Sequence, residues 1–134
     1  MQDIKPYDPC GHVKLAVSDY AKSYTFYKEL FAELGYKQVS NKDTSAAWTS
    51  NDGYGVLIAQ AKITDYKYQF DAPGLHHLCL KAHNTQTVDK VYQSILKKGV
   101  NIFNAPKKYP NYTDKYYATY FADPDGIKLE VAFY

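Results

Sequence analysis

The chain has 134 residues, of which 46% are apolar and 22% charged, and a formal net charge of +2. These values are typical of one globular domain, and the lysines form no basic block that would indicate nucleic-acid binding. No apolar run reaches the length of a membrane span, and the residues at the N-terminus do not have the pattern expected of a secretory leader. Cys10 and Cys79 lie in unrelated contexts and do not indicate a disulfide scaffold. We therefore expect a cytoplasmic protein with no nucleic-acid or membrane partner.

Two features of the composition bear on ligands. All 16 basic residues are lysine, and arginine does not occur. A substrate carboxylate or phosphate must therefore be bound by lysine, by backbone amides or by a metal, and not by a guanidinium group. The 15 tyrosines have two explanations. An AT-rich genome favours their codons, or phenol rings line a pocket where they cluster.

The first half of the chain predicts a strand, a helix and three further strands. Alternating residues predict a strand over 11–17. Helical spacing of apolar side chains follows, with Ser18 or Asp19 as the N-cap and Gly35 as the end of the helix. The further strands are predicted over 36–40, 45–50 and 54–60, and a linker over 61–73.

The second half repeats this order. A strand is predicted over 75–82, followed by a helix that Asn84 caps and Gly99 ends. Three strands complete the half, over 100–105, 116–122 and 127–133. A loop over 106–115, rich in Pro, Lys, Tyr and Asn, precedes the second of these strands. It has no counterpart in the first half.

The two halves are also similar in sequence. His12-Val-Lys-Leu-Ala-Val17 and His77-Leu-Cys-Leu-Lys-Ala82 both begin with histidine and run towards a helix. The offset is 65 residues between the histidines and 64 between the glycines that end the helices. Such self-similarity indicates a duplicated unit. The chain is therefore predicted to be one α+β domain over 1–134. Its two βαβββ modules, over 11–60 and 74–134, are expected to form a cleft of curved mixed sheets.

Strand alternation places three potential metal ligands on the sheet faces that point away from the helices. His12 and His77 open strands, and Glu130 alternates with apolar residues in the last strand. The three side chains meet if the sheets curl around a common cleft. Two imidazoles and one carboxylate can hold a divalent ion with positions left open for water or a substrate.

These features together resemble a known superfamily. The paired βαβββ units, the two histidine strands and Asp123-Pro-Asp-Gly-Ile-Lys-Leu-Glu130 are similar to the vicinal oxygen chelate proteins. That group includes glyoxalase I, methylmalonyl-CoA epimerase, extradiol dioxygenases, fosfomycin-resistance enzymes and bleomycin-binding proteins. The resemblance covers residues 12–133. Tyr109-Pro-Asn-Tyr112 with Tyr116-Tyr117 resembles a small glyoxalase-like branch.

The resemblance implies a ligand set. The family places His on strand one, Glu or Gln on strand four, His on strand five and Glu on strand eight. His12, His77 and Glu130 match three of these positions, and Glu130 would also serve as the catalytic base. When the turns of the two modules are aligned, the fourth position falls on Leu57, which cannot bind a metal. Gln60 is the nearest oxygen donor and would need a bulge to reach the site. The implied cofactor is a divalent ion such as Zn, Ni, Mn or Fe.

The resemblance implies two possible functions and a homodimer. The first function is a metal-assisted lyase or isomerase, similar to lactoylglutathione lyase, for a small substrate with vicinal oxygens. The lack of arginine argues against glutathione as the cosubstrate. The alternative is a non-catalytic protein that binds an antibiotic or another small molecule, as bleomycin-resistance proteins do. The missing fourth ligand favours this alternative, and a pI of about 8.4 disfavours it, because those proteins bind a cationic drug on an acidic surface.

The remaining candidates are residues that could contact a substrate. Tyrosines around the inserted loop either form a lid over the cleft or only pack the loop against the sheet. A thiol on the cleft face is either a contact or inert packing. His76 is expected to face away from the cleft as a structural residue, and His83 to be solvated. The predicted substrate-binding residues are Leu57, Trp48, Cys79, Tyr109, Tyr112 and Tyr117.

Overall fold

The structure is a computed structural model that describes residues 10–134. Its elements alternate as the sequence predicts, with one helix after the first strand of each half. In chain order they are β1 (His12–Val17), α1 (Tyr20–Glu33), β2 (Lys37–Asn41), β3 (Ser45–Thr49), β4 (Gly55–Gln60), β5 (Leu78–Lys81), α2 (Thr85–Leu96), β6 (Ile102–Lys108), β7 (Tyr117–Ala122) and β8 (Lys128–Phe133).

The strands form two mixed sheets of identical topology. The first sheet, sheet A, has the order β1-β4-β3-β2, and the second, sheet B, has the order β5-β8-β7-β6. In each sheet the first and last strands of the module pair in parallel, and the other pairs are antiparallel. The α+β fold of two repeated βαβββ modules is therefore confirmed.

Helix capping follows the sequence signals. The Asp19 side chain accepts a hydrogen bond from the backbone N–H of Lys22 at 3.2 Å, so Asp19 is the N-cap of α1 rather than Ser18. Asn84 accepts one from Thr87 N–H at 2.8 Å and caps α2. Each bond satisfies a donor that the first turn of a helix leaves free.

Two boundaries differ from the prediction and affect the candidate site. Strand β6 continues to Lys108, so the inserted segment is the hairpin connection 109–116. Strand β5 begins only at Leu78, where its ladder with β8 starts opposite Leu129. His77 therefore lies immediately before the strand, where no ladder fixes the direction of its side chain.

Both modules share one apolar core between the helices and the sheets. The Tyr27 ring of α1 is fully buried, and the Phe26 ring packs against Phe121 of β7 at 6.4 Å. Just before α1, Ser18 is hydrogen-bonded to Asp125 of the β7–β8 turn. Contacts between helix α1 and module two thus fix the two modules relative to each other. Within residues 10–134, no helix is long and apolar enough to cross a membrane.

Candidate functional site

Glu130 lies near the middle of the face of sheet B that points away from the helices. On one side it pairs with Cys79 of β5, and on the other with Tyr120 of β7. Directly opposed residues of neighbouring strands project from the same face. The side chains of Cys79, Glu130 and Tyr120 therefore form one row across the sheet.

The Glu130 carboxylate is buried and hydrogen-bonded. The residue is only 2% exposed. Its Oε2 lies 3.1 Å from Nε2 of His77, and its Oε1 accepts a 2.6 Å hydrogen bond from the Tyr116 hydroxyl. A carboxylate can be buried at acceptable cost only when such donors replace its water. His77 and Glu130, two of the three predicted ligands, are therefore in contact.

The groups around Glu130 hold their protons. Burial, together with the nearby carboxylate, raises the pKa of the Tyr116 and Tyr120 hydroxyls above their usual value. Burial and the charge of Glu130 raise the pKa of the Cys79 thiol to about 12. Cys79 is therefore a neutral thiol at physiological pH and not a nucleophile. The two phenols remain hydrogen-bond donors.

His76 contacts His77, although the sequence predicted that it faces away. The Nδ1 atoms of the two rings lie 2.8 Å apart, so one of them donates to the other. When Nε2 of His77 donates to Glu130, Nδ1 of His77 is the acceptor and His76 the donor. The alternation rule failed here because both residues precede the first ladder pair of β5. His76 therefore orients the imidazole of His77.

Tyrosine side chains cover Glu130. Tyr109 and Tyr112 of the inserted hairpin stack with ring centroids 5.7 Å apart, and Tyr112 lies 5.2 Å from Tyr116. Tyr116 in turn stacks on Tyr134 at 4.7 Å, and Tyr109 meets Tyr120 edge to face. We call these five residues the tyrosine cluster. It explains why the Glu130 carboxylate is shielded from water.

The other predicted ligand, His12, lies on sheet A. It pairs with Gly55, and Lys14 pairs with Leu57, so these side chains share the face that points away from the helices. His12 is exposed, whereas Leu57 is half-buried. Within residues 10–134, no three His, Cys, Asp or Glu side chains come together as a metal site. A single chain thus pairs His77 with Glu130 and does not bring His12 to them.

Gln60, named as a possible fourth ligand, has another role. The β1–β4 ladder runs without a shift to the pair Val17 and Gln60, so the bulge that Gln60 required is not present. Its Oε1 accepts from Tyr20 N–H at 3.0 Å, and its Nε2 donates to the Ser18 carbonyl at 2.9 Å. The Gln60 amide therefore holds the start of α1.

Two predicted substrate contacts, Trp48 and Tyr117, lie away from the Glu130 row. Trp48 is 2% exposed, pairs with Val56 and lies 5.0 Å from the Phe31 ring, in the core. Tyr117 points towards α2 and donates a 2.6 Å hydrogen bond to Asp89. That bond, with burial, raises the pKa of Tyr117 to about 12.

Tyr116 and Tyr120 contact the candidate site in place of Tyr117. Strand alternation contained the signal, because residues 116, 118 and 120 share a face that Tyr117 does not. Among the other predicted substrate contacts, Cys79, Tyr109 and Tyr112 lie on the Glu130 side of sheet B, and Leu57 lies on sheet A.

The ammonium group of Lys128 lies beside the same row of side chains. The Lys128 ammonium is 4.4 Å from the Phe70 ring, 5.1 Å from Phe103 and 5.5 Å from Tyr120. Aromatic faces attract a cation and hold it without a carboxylate partner. Positive charge is therefore kept close to Tyr120, a direct neighbour of Glu130.

Comparison with known proteins identifies the family of the chain. A family model described as the glyoxalase/bleomycin resistance protein/dioxygenase superfamily matches residues 10–131. An uncharacterised protein of Bacillus subtilis, YqjT, is 30% identical over 122 residues, which are 90% of this chain and 94% of that protein. A virulence protein of Salmonella typhimurium, STM3117, is 28% identical over 127 residues, which are 95% of this chain and 85% of that protein.

Solved structures share the fold. A candidate glyoxalase from Bacillus halodurans superposes with a TM-score of 0.79 at 22% identity, covering 94% of this chain and 96% of that chain. A glyoxalase/bleomycin resistance protein from Albidiferax ferrireducens gives a TM-score of 0.74 at 22% identity, covering 92% and 97%. At such identities the likeness concerns the fold alone.

Proposed function

Because the chain belongs to the glyoxalase/bleomycin resistance protein/dioxygenase superfamily, we propose that it is a metal-assisted lyase or isomerase for a small substrate with adjacent oxygens. The observation that carries the proposal is the contact between His77 Nε2 and Glu130 Oε2, 3.1 Å apart on the open face of sheet B. An imidazole and a carboxylate so placed can bind one ion or move one proton.

The distance between the two side chains fits a divalent ion. Each donor would lie about 2.1 Å from the ion, and two such donors at tetrahedral or octahedral angles are roughly 3.0–3.4 Å apart. The distance of 3.1 Å is within this range. His76 supplies the outer hydrogen bond that a metal-bound histidine usually makes.

We assign the third ligand to a second copy of the chain. His12 lies on sheet A, away from the pair on sheet B, and its side chain is exposed on the open face. In a C2 homodimer, the open face of sheet A of one protomer can face sheet B of its partner. His77 and Glu130 would then be joined by His12 of the partner subunit. Each dimer would hold two equivalent sites.

The bound ion would supply Lewis-acid polarisation of a substrate carbonyl. Glu130 would accept the proton from the carbon next to that carbonyl and return it to the former carbonyl carbon, while the hydroxyl proton of the substrate passes to the former carbonyl oxygen. The Tyr116 hydroxyl holds Oε1 of the carboxylate, and its raised pKa keeps it a donor throughout. The tyrosine cluster would exclude water while the proton is held.

A mixing experiment tests both the metal and the shared site. His12→Ala and His77→Ala proteins should each purify without metal, because three protein ligands leave no redundancy. A heterodimer of the two variants would contain one intact site and one that lacks both histidines. Elemental analysis should therefore find about half the wild-type metal in the isolated heterodimer. Two metal-free parents that give a metal-free heterodimer would contradict the shared site.

The second candidate function is non-catalytic binding of a small molecule. The observation that favours it is the tyrosine cluster. Its stacked rings offer an aromatic surface on which a ligand can pack, and proton transfer by Glu130 does not require such a surface. Wild-type protein purified without chelator discriminates between the two functions. Stoichiometric metal that the Glu130→Gln variant loses supports the lyase or isomerase. Equal, negligible metal in both proteins supports the binder.

A further inference from the structure

A cavity of about 620 Å³ lies between the two modules, beside the tyrosine cluster. Module one contributes the end of α1 and the turn that connects β3 with β4. Module two contributes the ends of β5 and β8. The volume is in the range of small-molecule sites, about 300–1,000 Å³.

Basic side chains line one wall of this cavity. Lys81 and His83 both line it, and the Lys81 ammonium lies 4.2 Å from the centre of the Tyr134 ring. The ion pairs found within residues 10–134 are those of His77 and Lys98 with glutamates, so Lys81 has no carboxylate partner there. The one acidic residue of the lining is Asp52, which is exposed on the turn.

Four aromatic rings also line the cavity. Tyr36, Tyr54, Phe133 and Tyr134 line the cavity, and the first three are half-buried. Burial raises the pKa of Tyr36, so its ring is an uncharged phenol at neutral pH. Flat rings beside an ammonium group match a ligand that has both an aromatic ring and a negative charge.

We propose that this cavity binds a small aromatic carboxylate, whose charge is met by Lys81 and whose ring packs against Tyr36 and Tyr54. The chain has no arginine, so a lysine in this position is the side chain that can bind the anion. Cys79 lines the cavity and is the ladder partner of Glu130, so a molecule bound here reaches towards the carboxylate. Assigning that molecule to the same reaction rests on the proposed function, whereas the cavity itself needs no metal.

Two matched probes test the charge preference in metal-free protein. 4-Hydroxybenzoate and the neutral 4-hydroxybenzamide are titrated separately while backbone amide signals are followed by NMR. The benzoate should shift the signals of residues 35–36 and 81–83 and bind at least fivefold more tightly than the amide. Equal dissociation constants, or shifts confined to other residues, would overturn the proposal.

Variants identify the side chain that binds the anion. Lys81→Gln should reduce the affinity for the benzoate to that for the amide, and Lys81→Arg should restore the preference. Lys90→Gln, on the exposed side of α2, is the control and should bind as the wild type does. Unchanged benzoate affinity in Lys81→Gln would refute the assignment. The titrations use metal-free protein, so they test the cavity alone. The metal content of purified wild-type and His77→Ala protein tests the metal site, so the two failures are distinguishable.

Discussion

The hydroxyl of Tyr27 donates a 2.7 Å hydrogen bond to Oδ2 of Asp123, joining helix α1 to the turn before β8. The other carboxylate oxygen accepts from the N–H groups of Asp125 and Ile127, both at 2.8 Å. Asp123 is 2% exposed, and this burial raises the pKa of its carboxyl to about 6, despite the hydrogen bonds that lower it.

The contribution of Asp123 to stability should therefore fall as the pH rises from about 4 to about 6. In this window the folded state keeps a proton on Asp123 that the unfolded chain has released, so higher pH favours unfolding. Two pKa units correspond to about 2–3 kcal/mol. Urea unfolding of wild-type and Asp123→Asn protein across this window should show the slope reduced in the variant. Asp65→Asn, an exposed change in the linker, should keep the wild-type slope, and an equal slope in Asp123→Asn would contradict the assignment.

Removing His76 should weaken metal binding without unfolding the protein. The 2.8 Å contact between the two Nδ1 atoms fixes the orientation of the His77 ring. Loss of such outer partners typically costs 10–100-fold in metal affinity. Competition titration with a chromophoric chelator would measure this effect in His76→Ala. His83→Ala, which changes a histidine elsewhere, should retain wild-type metal affinity, and the same result for His76→Ala would show that His77 needs no support.

Leu57→Glu should tighten metal binding. Leu57 lies opposite Lys14 on the open face of sheet A, at the position where the family carries an oxygen ligand. A carboxylate there adds a fourth ligand to a proposed set of three, and affinity depends on ligand count. Ala59→Glu places the same charge two residues further along the same face and serves as the control. Calorimetric titration that finds equal affinities for the two variants would show that position 57 does not face the ion.

Replacing Tyr109 and Tyr112 by alanine should impair ligand binding more than folding. Both rings belong to the hairpin that covers Glu130, and Tyr112 is 58% exposed. Aromatic contacts contribute about 1 kcal/mol, which corresponds to roughly fivefold weaker binding of a ring with adjacent oxygens such as catechol. Thermal melting should change little, as in the Tyr66→Ala control. A large loss of thermal stability with unchanged catechol affinity would mean that the tyrosines only pack the hairpin.

Strand periodicity was sufficient to predict the repeat and the faces of Glu130 and Leu57, because ladders impose strict alternation. It failed for His76, which lies outside the ladder. It also could not predict that the Gln60 amide holds the start of α1, because that role depends on the contact with Tyr20 in another element of the module. Within a continuous ladder, the alternation of residues does predict the face to which each side chain points. Trp48 pairs with Val56 in the β3–β4 ladder and therefore shares its core-facing side.

The location of His12 on one sheet and of His77 and Glu130 on the other has a thermodynamic consequence. In the proposed dimer every ion bridges two chains, so metal binding and self-association strengthen each other by the same factor. Dilution of the protein would release metal, and a chelator would promote dissociation into protomers. The apparent metal affinity would then depend on protein concentration, so a cell could alter metal loading by changing how much of the chain it makes.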